Sequence, residues 1–462
     1  MSLGLCNAIA PRAATSPTRP RAMSAGAPEQ QHVLAYTAWH SLFWLVFANA
    51  IGVLIAAMLL FPCLDMLLGD WSYGRWMPVH LNLQLYGWCS LPLVAFLFKV
   101  YGADRPPVAQ WARPMLWVWS CALAVGSLTW ITGHSSGKLF LDWTGYSRVL
   151  FPLALVALWS VLAFALQRNW KTVSNDTAGV RAAKVLGLAL LLTVPILLYV
   201  ASSPDLYPPI NPDTGGPTGA SQLESTLVII AILLLLPFGM TRRKPGHDGI
   251  INWAMKWAWG ILAAELLLCL ALGRSDVSHH RPVQYISLGS LLVWLPLTPA
   301  YYSGFLWHPN TRRWRIAFLC WWSVLVPTGW CLFLPGVLDH FKFTDGLVGH
   351  SLLAMAGFVT SLLIFVMIQL LGEGGWIFNG TRSFYLWQFS VFGYVAVMFV
   401  AGWREGFDPA FTMVPGTERN ILYLLRLVLG IFMLAASADW LVEGSALLRE
   451  PTTSRQSLEG AP

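Results

Sequence analysis

Runs of roughly 20 apolar residues, the length needed to cross about 30 Å of hydrocarbon at 1.5 Å per residue, recur along almost the whole chain. About twelve can be counted, near 40–64, 76–100, 112–132, 146–167, 182–201, 221–240, 252–272, 285–306, 314–334, 345–371, 382–402 and 419–448. Backbone inside a bilayer must satisfy its own N–H and C=O groups, so a span is either a helix or a strand of a closed barrel. The alternating segments of about ten residues that mark barrel strands are absent. The expected fold is therefore all-α, a polytopic bundle of about twelve transmembrane helices. Composition agrees: with 56% hydrophobic and 11% charged residues, the chain lies outside the range of soluble domains.

Loop charge orients the bundle. Spans 2, 4, 6 and 8 lead into loops that carry Lys99, Arg105 and Arg113; Arg168, Lys171, Arg181 and Lys184; Arg242, Arg243 and Lys244; and Arg312, Arg313 and Arg315. Basic loops stay in the cytoplasm, which places both termini inside a cell inner membrane. The opposite loops hold Asp65, Asp70, Asp205, Asp213, Asp339 and Asp345. The net charge of +7 follows from this asymmetry and gives no reason to invoke nucleic acid. Lipid is the partner that composition implies.

Residues 1–35 are rich in Ala, Pro and Arg, lack an apolar core, and read as a disordered cytoplasmic tail rather than a secretory signal. Residues 36–448 form the membrane domain and 449–462 a second cytoplasmic tail. The Pro- and Gly-rich stretch Ser202–Gly219 reads as the longest outer loop. The seven cysteines show no C-x-x-C or C-x-x-C-H spacing, so most are expected to pack within spans. Many of the 25 Trp fall at span ends, where interfacial belts are expected.

Two histidines stand out. His80, in Met77-Pro78-Val79-His80-Leu81-Asn82, and His350, in Gly349-His350-Ser351, sit near the starts of two spans that enter from the same side. Pro78 is expected in the first turn of span 2, with His80 about one turn in. A buried imidazole in lipid is costly unless it is paired or binds a metal, so the pair suggests a haem or metal site between helices. Glu265 and Arg426 are further polar residues within spans, and Glu265 is a candidate proton-relay acid.

These residues carry a family resemblance. Gly74-Arg75-Trp76-Met77-Pro78-Val79-His80-Leu81-Asn82, followed by Tyr86-Gly87-Trp88, resembles the second helix of subunit I of the haem-copper oxidases, nearest the cbb-type. Thr344-Asp345-Gly346-Leu347-Val348-Gly349-His350 resembles that family's tenth helix. Gly133-His134-Ser135-Ser136-Gly137-Lys138 through Trp143 is similar to the loop after its third helix, and Leu288-Gly289 through Trp294-Leu295-Pro296 to its eighth. The resemblance implies a twelve-helix bundle, haem b held at His80, and work in the respiratory chain beside a cytochrome c-type partner and other subunits.

The chain departs from the family where the second metal belongs. The family's tenth helix carries His-x-His, but here the pair is His350 and Leu352. Residues two apart on a helix differ by roughly 200°, so His350 cannot serve two haems. Span 6 offers Gln222 and Glu224 in place of a histidine, His279-His280 follow span 7 at the water edge, and span 7 lacks the family's tyrosine. Copper held by imidazole here expects three nitrogens, so copper is not expected.

The expected function is a cytochrome c oxidase subunit I-like membrane protein that passes electrons through one b-type haem, with His80 and His350 as ligands, and lacks a complete oxygen-reducing centre. Two alternatives stay open. One is an active terminal oxidase or nitric oxide reductase that uses His279, His280 and Glu224 as ligands. The other is a cofactor-free scaffold that docks cytochrome subunits.

Overall fold

The computed structural model describes residues 28–173, 176–208, 222–245, 248–272 and 281–449. Among them, twelve helices are long and apolar enough to cross a membrane: α1 His32–Leu60, α2 Tyr73–Tyr101, α3 Ala109–Ile131, α4 Ser147–Arg168, α5 Ala178–Ala201, α6 Leu223–Met240, α7 Trp253–Leu272, α8 Pro282–Ser303, α9 Pro309–Leu332, α10 Asp345–Phe378, α11 Thr381–Phe407 and α12 Thr417–Arg449. No strand occurs among the described residues, and the one β-bridge joins Arg243 to Phe305. The protein is an all-α polytopic membrane protein. The tail residues 1–27 and 450–462, and most of the Ser202–Gly219 loop, lie outside the described residues.

The helix ends follow local chemistry. α2 begins at Tyr73, where Asp65 Oδ1 accepts the Tyr73 N–H at 3.1 Å and so satisfies one orphan donor of the first turn. Pro78 is therefore inside the helix, not in its first turn as the sequence suggested, and His80 lies about 10 Å along the axis. The carbonyl of Gly74 loses its usual donor to Pro78, a cost the helix tolerates inside a protein-packed bundle. α10 begins after Thr344, whose hydroxyl accepts from Gly346 N at 3.1 Å.

Packing orders the helices. α10 is central, with 72% of its most apolar window buried, whereas α5 and α7 are peripheral at 11% and 17%. The first and last helices close the bundle: Asn49 Nδ2 donates to Ser437 Oγ at 3.0 Å and Trp39 Nε1 to Ser445 Oγ at 3.0 Å, both from α1 to α12. α10 and α11 meet backbone to backbone, because a Cβ on Gly402 would overlap the backbone N of Gly346. Small residues permit that approach, which lipid-embedded helices use where no hydrophobic drive holds them together.

Two sequence expectations change here. Trp88, Trp130, Trp143, Trp294, Trp314, Trp322, Trp387 and Trp440 are fully buried, so much of the tryptophan is core and not an interfacial belt. Of the six described cysteines only Cys89 is buried, while Cys63, Cys121, Cys320 and Cys331 are exposed on the bundle surface. Both reflect which side of a helix faces protein, which a run apolar on all sides does not encode.

Candidate functional site

His80 projects from α2 toward α1. Its Nδ1 stands 2.8 Å from Ala48 O. A carbonyl only accepts, so Nδ1 carries the hydrogen and, in the neutral ring, Nε2 keeps the lone pair. Gly52, one turn beyond Ala48, makes room for the ring: a Cβ there would lie 2.7 Å from His80 Cε1. An imidazole whose Nδ1–H is fixed by a backbone carbonyl is oriented as metal-ligating histidines are, with Nε2 free to bind.

His350 projects from α10 toward α9. Its Cε1 and Nε2 would each lie 3.5 Å from a Cβ added to Gly329. Its Nδ1 is buried without a hydrogen-bond partner. Such an atom is rare in a native fold and calls for an unseen partner. No hydrogen bond or ring contact joins His80 to His350, since one ring is directed to α1 and the other to α9.

The backbone treats the two histidines alike. A seven-residue π-helical segment, Leu83–Cys89, starts three residues after His80, and another, Leu353–Val359, starts three residues after His350. These are the two π segments among the described residues. Widening a helix loosens its i→i−4 ladder and leaves carbonyls that need other donors. In α2, Ser90 Oγ donates to Leu85 O at 2.9 Å and Trp119 Nε1 from α3 to Tyr86 O at 2.9 Å. In α10, Thr360 Oγ1 donates to Met355 O at 2.9 Å and Trp387 Nε1 from α11 to Ala356 O at 3.0 Å. Trp88 Nε1 then ties the two helices by donating to Thr360 Oγ1 at 3.0 Å.

A buried polar cluster lies at the same end of the bundle. Arg426 of α12 pairs with Asp345 of α10, Nη1 to Oδ1 at 3.3 Å, and its Nε donates to Tyr394 Oη of α11 at 2.8 Å. Glu405 of α11 accepts the backbone N–H of Asp345. Tyr73 and His80 of α2 lie within electrostatic range of Arg426. Arg419, two turns earlier on the same face of α12, donates to Leu59 O at 3.1 Å and Thr412 O at 2.8 Å. Sequence reading singled out Arg426 within its span but not its partners, which come from three other helices. The signal available was an acid at the first residue of one span and a base inside another.

The loop after α3 is ordered by buried ions. Lys138 Nζ donates to Ala201 O at 3.1 Å and Tyr207 O at 2.6 Å, and burial pulls its pKa down to about 8. Asp142 accepts from Asn82 Nδ2 at 2.9 Å, two residues beyond His80, and burial raises its carboxyl. His134 is exposed, and His340 Nε2 lies 3.1 Å from Trp403 O.

Glu265 is 4% exposed on α7, and its two oxygens accept from Ser290 Oγ and Trp294 Nε1 of α8, each at 2.9 Å. Those bonds satisfy the carboxyl within the α7–α8 contact. Glu224 is exposed on α6. His279 and His280 lie outside the described residues. Among the described residues no three His, Cys, Asp or Glu side chains converge as a metal site.

No protein-family model matches this chain, and no curated protein shows significant similarity to it.

Proposed function

We propose that the protein is an integral membrane haem b protein, similar to subunit I of the cbb-type haem-copper oxidases, which serves respiratory electron transfer without a complete oxygen-reducing centre. One observation carries the reading: each of the two histidines singled out by the resemblance stands three residues before a π segment, and no other π segment occurs among the described residues. Interruptions of this kind concentrate at functional sites.

The residues fit a haem. His80 would hold it through Nε2, with Ala48 O fixing the ring and Gly52 giving it space. His350 is the candidate ligand on α10, and its unpartnered Nδ1 is the kind of atom a bound group satisfies. Bound there, a haem supplies one-electron redox chemistry at a potential set by its axial ligands and low-dielectric surroundings. Trp119 and Trp387 brace the widened backbone, and Arg426 places positive charge within reach of His80. Glu265, held by Ser290 and Trp294, remains the proton-relay candidate on α7, and Glu224 a weaker one on α6. The basic loops support an inner-membrane location with both termini cytoplasmic, and the resemblance supports a c-type cytochrome and further respiratory subunits as partners.

The direction of His350 toward α9 favours a second reading, in which it serves a haem of its own. A pyridine haemochrome with iron and copper counts on the purified chain decides between them, alongside oxygen and nitric oxide consumption with an artificial reductant. One haem b per chain, no copper and no turnover is the expected result. Two haems would favour the second reading, and none would leave a scaffold. Cyanide-sensitive turnover with stoichiometric copper would make the chain a terminal reductase.

A further inference from the structure

A cavity of about 410 Å³ opens at the opposite end of the bundle from His80, between the α6–α7 loop and the junction of α8 with α9. The junction is stitched in place: Lys244 N donates to Gly304 O and Leu306 N to Arg242 O, both at 2.9 Å. That short antiparallel pairing fixes Lys244 at the mouth, and α9 brings Arg315 to the same space. Both cations are half-buried, and neither has an ion pair among the described residues. Arg312, one turn before Arg315 on the same helix, adds a like charge beside it. Two half-buried cations that line one cavity without a counter-ion favour an anion in that space.

The other walls say which anion. Pro299, Phe305, Leu306 and Leu319 are apolar, and Leu319 lies ten residues inside α9, about 15 Å along its axis from Pro309. The cavity thus carries two cations near the helix ends and an apolar wall that reaches one turn further into the bundle, to Leu319 and Pro299. A free phosphate needs only the cations, whereas a phospholipid needs both parts. We propose that this cavity binds an anionic phospholipid, with its phosphate between Lys244 and Arg315 and its acyl chain along Leu319 and Pro299. Basic pockets between helices take such headgroups in other membrane proteins, and the volume falls in the roughly 300–1,000 Å³ range of small-molecule sites.

Native mass spectrometry of the full chain in detergent tests this, with phosphatidylglycerol, phosphatidylcholine and inorganic phosphate as probes. Phosphatidylglycerol is expected to bind in preference to phosphatidylcholine. The double variant Lys244→Gln with Arg315→Gln should lose roughly 25-fold in affinity, about fivefold per cation. Arg313→Gln removes a charge whose Nη1 bonds Thr381 Oγ1 at 2.8 Å, outside the cavity, and should bind as wild type does. Equal retention of the two lipids, or of phosphatidylglycerol by the double variant, would overturn the proposal. So would inorganic phosphate that competes at the lipid's own concentration, since it would assign the cations to a soluble anion. A measurement free of substitutions stands beside these: phosphatidylglycerol with a photoreactive headgroup should crosslink wild-type peptides covering 241–245 and 304–319, and crosslinking only elsewhere would equally overturn it.

Discussion

Arg426 and Asp345 form a buried ion pair, Nη1 to Oδ1 at 3.3 Å, that joins the start of α10 to the body of α12. Arg426 is 6% exposed, so removing its acid strands a charge in protein and lipid. Asp345→Asn should therefore cost about 3 kcal/mol or more, read as a lowered unfolding midpoint in detergent. Adding Arg426→Met should recover part of that loss, because two apolar or neutral groups replace a broken pair. A double variant no better than the sum of the singles would show that the pair is not coupled.

If His80 holds a haem as proposed, Gly52→Ala should disturb it without replacing a ligand. The new methyl would stand 2.7 Å from His80 Cε1, so the ring must rotate and its Nε2 must shift. We expect an altered low-spin optical and paramagnetic spectrum, while Gly74→Ala, where a Cβ meets nothing within 4 Å, leaves it unchanged. His80→Ala should abolish the low-spin signal altogether. A His80→Ala protein with the wild-type spectrum would remove His80 as a ligand.

Trp387→Phe and Trp119→Phe should loosen the π segments. Each removes the indole donor to a carbonyl inside one segment, Ala356 O or Tyr86 O. The expected cost is about 1–2 kcal/mol apiece. Amide hydrogen exchange should speed up locally, over 353–360 in the first variant and 83–90 in the second. Uniform change across the chain would mean that the indoles act only as core volume.

Lys138 makes stability rise with pH. Its folded pKa is lowered to about 8 from an ordinary 10.5, so between those values the unfolded chain binds more protons than the folded one. Stability must then increase with pH across that window and change little from this group below it. The unfolding temperature of wild type relative to Lys138→Met should climb from pH 8 to pH 10. A flat difference would place the ammonium in a well-solvated site.

Topology can be read with an impermeant maleimide. Leu206 is 67% exposed just beyond α5, on the side the acidic loops occupy. Leu206→Cys, in a chain whose exposed Cys63 and Cys331 are replaced by Ser, should label in intact cells. Labelling that appears only after permeabilisation would invert the bundle.

The twelve helices were legible in the sequence because hydrocarbon imposes one local requirement, about 20 apolar residues with an internally bonded backbone, that neighbours do not alter. His80, His350, Glu265 and Arg426 were visible for the same reason, as polar residues in or at the edge of such runs. What they do to one another was not visible. Residues two helices apart in sequence meet only through packing, so the Arg426, Asp345, Tyr394 and Glu405 cluster needed three helices in register. Helix rotation also belongs to the tertiary structure: a run apolar on every side does not say which face meets protein. Packing therefore turned His350 to α9 and His80 to α1, buried Trp88 and Trp387, and widened α2 and α10 where Trp119 and Trp387 could reach their carbonyls.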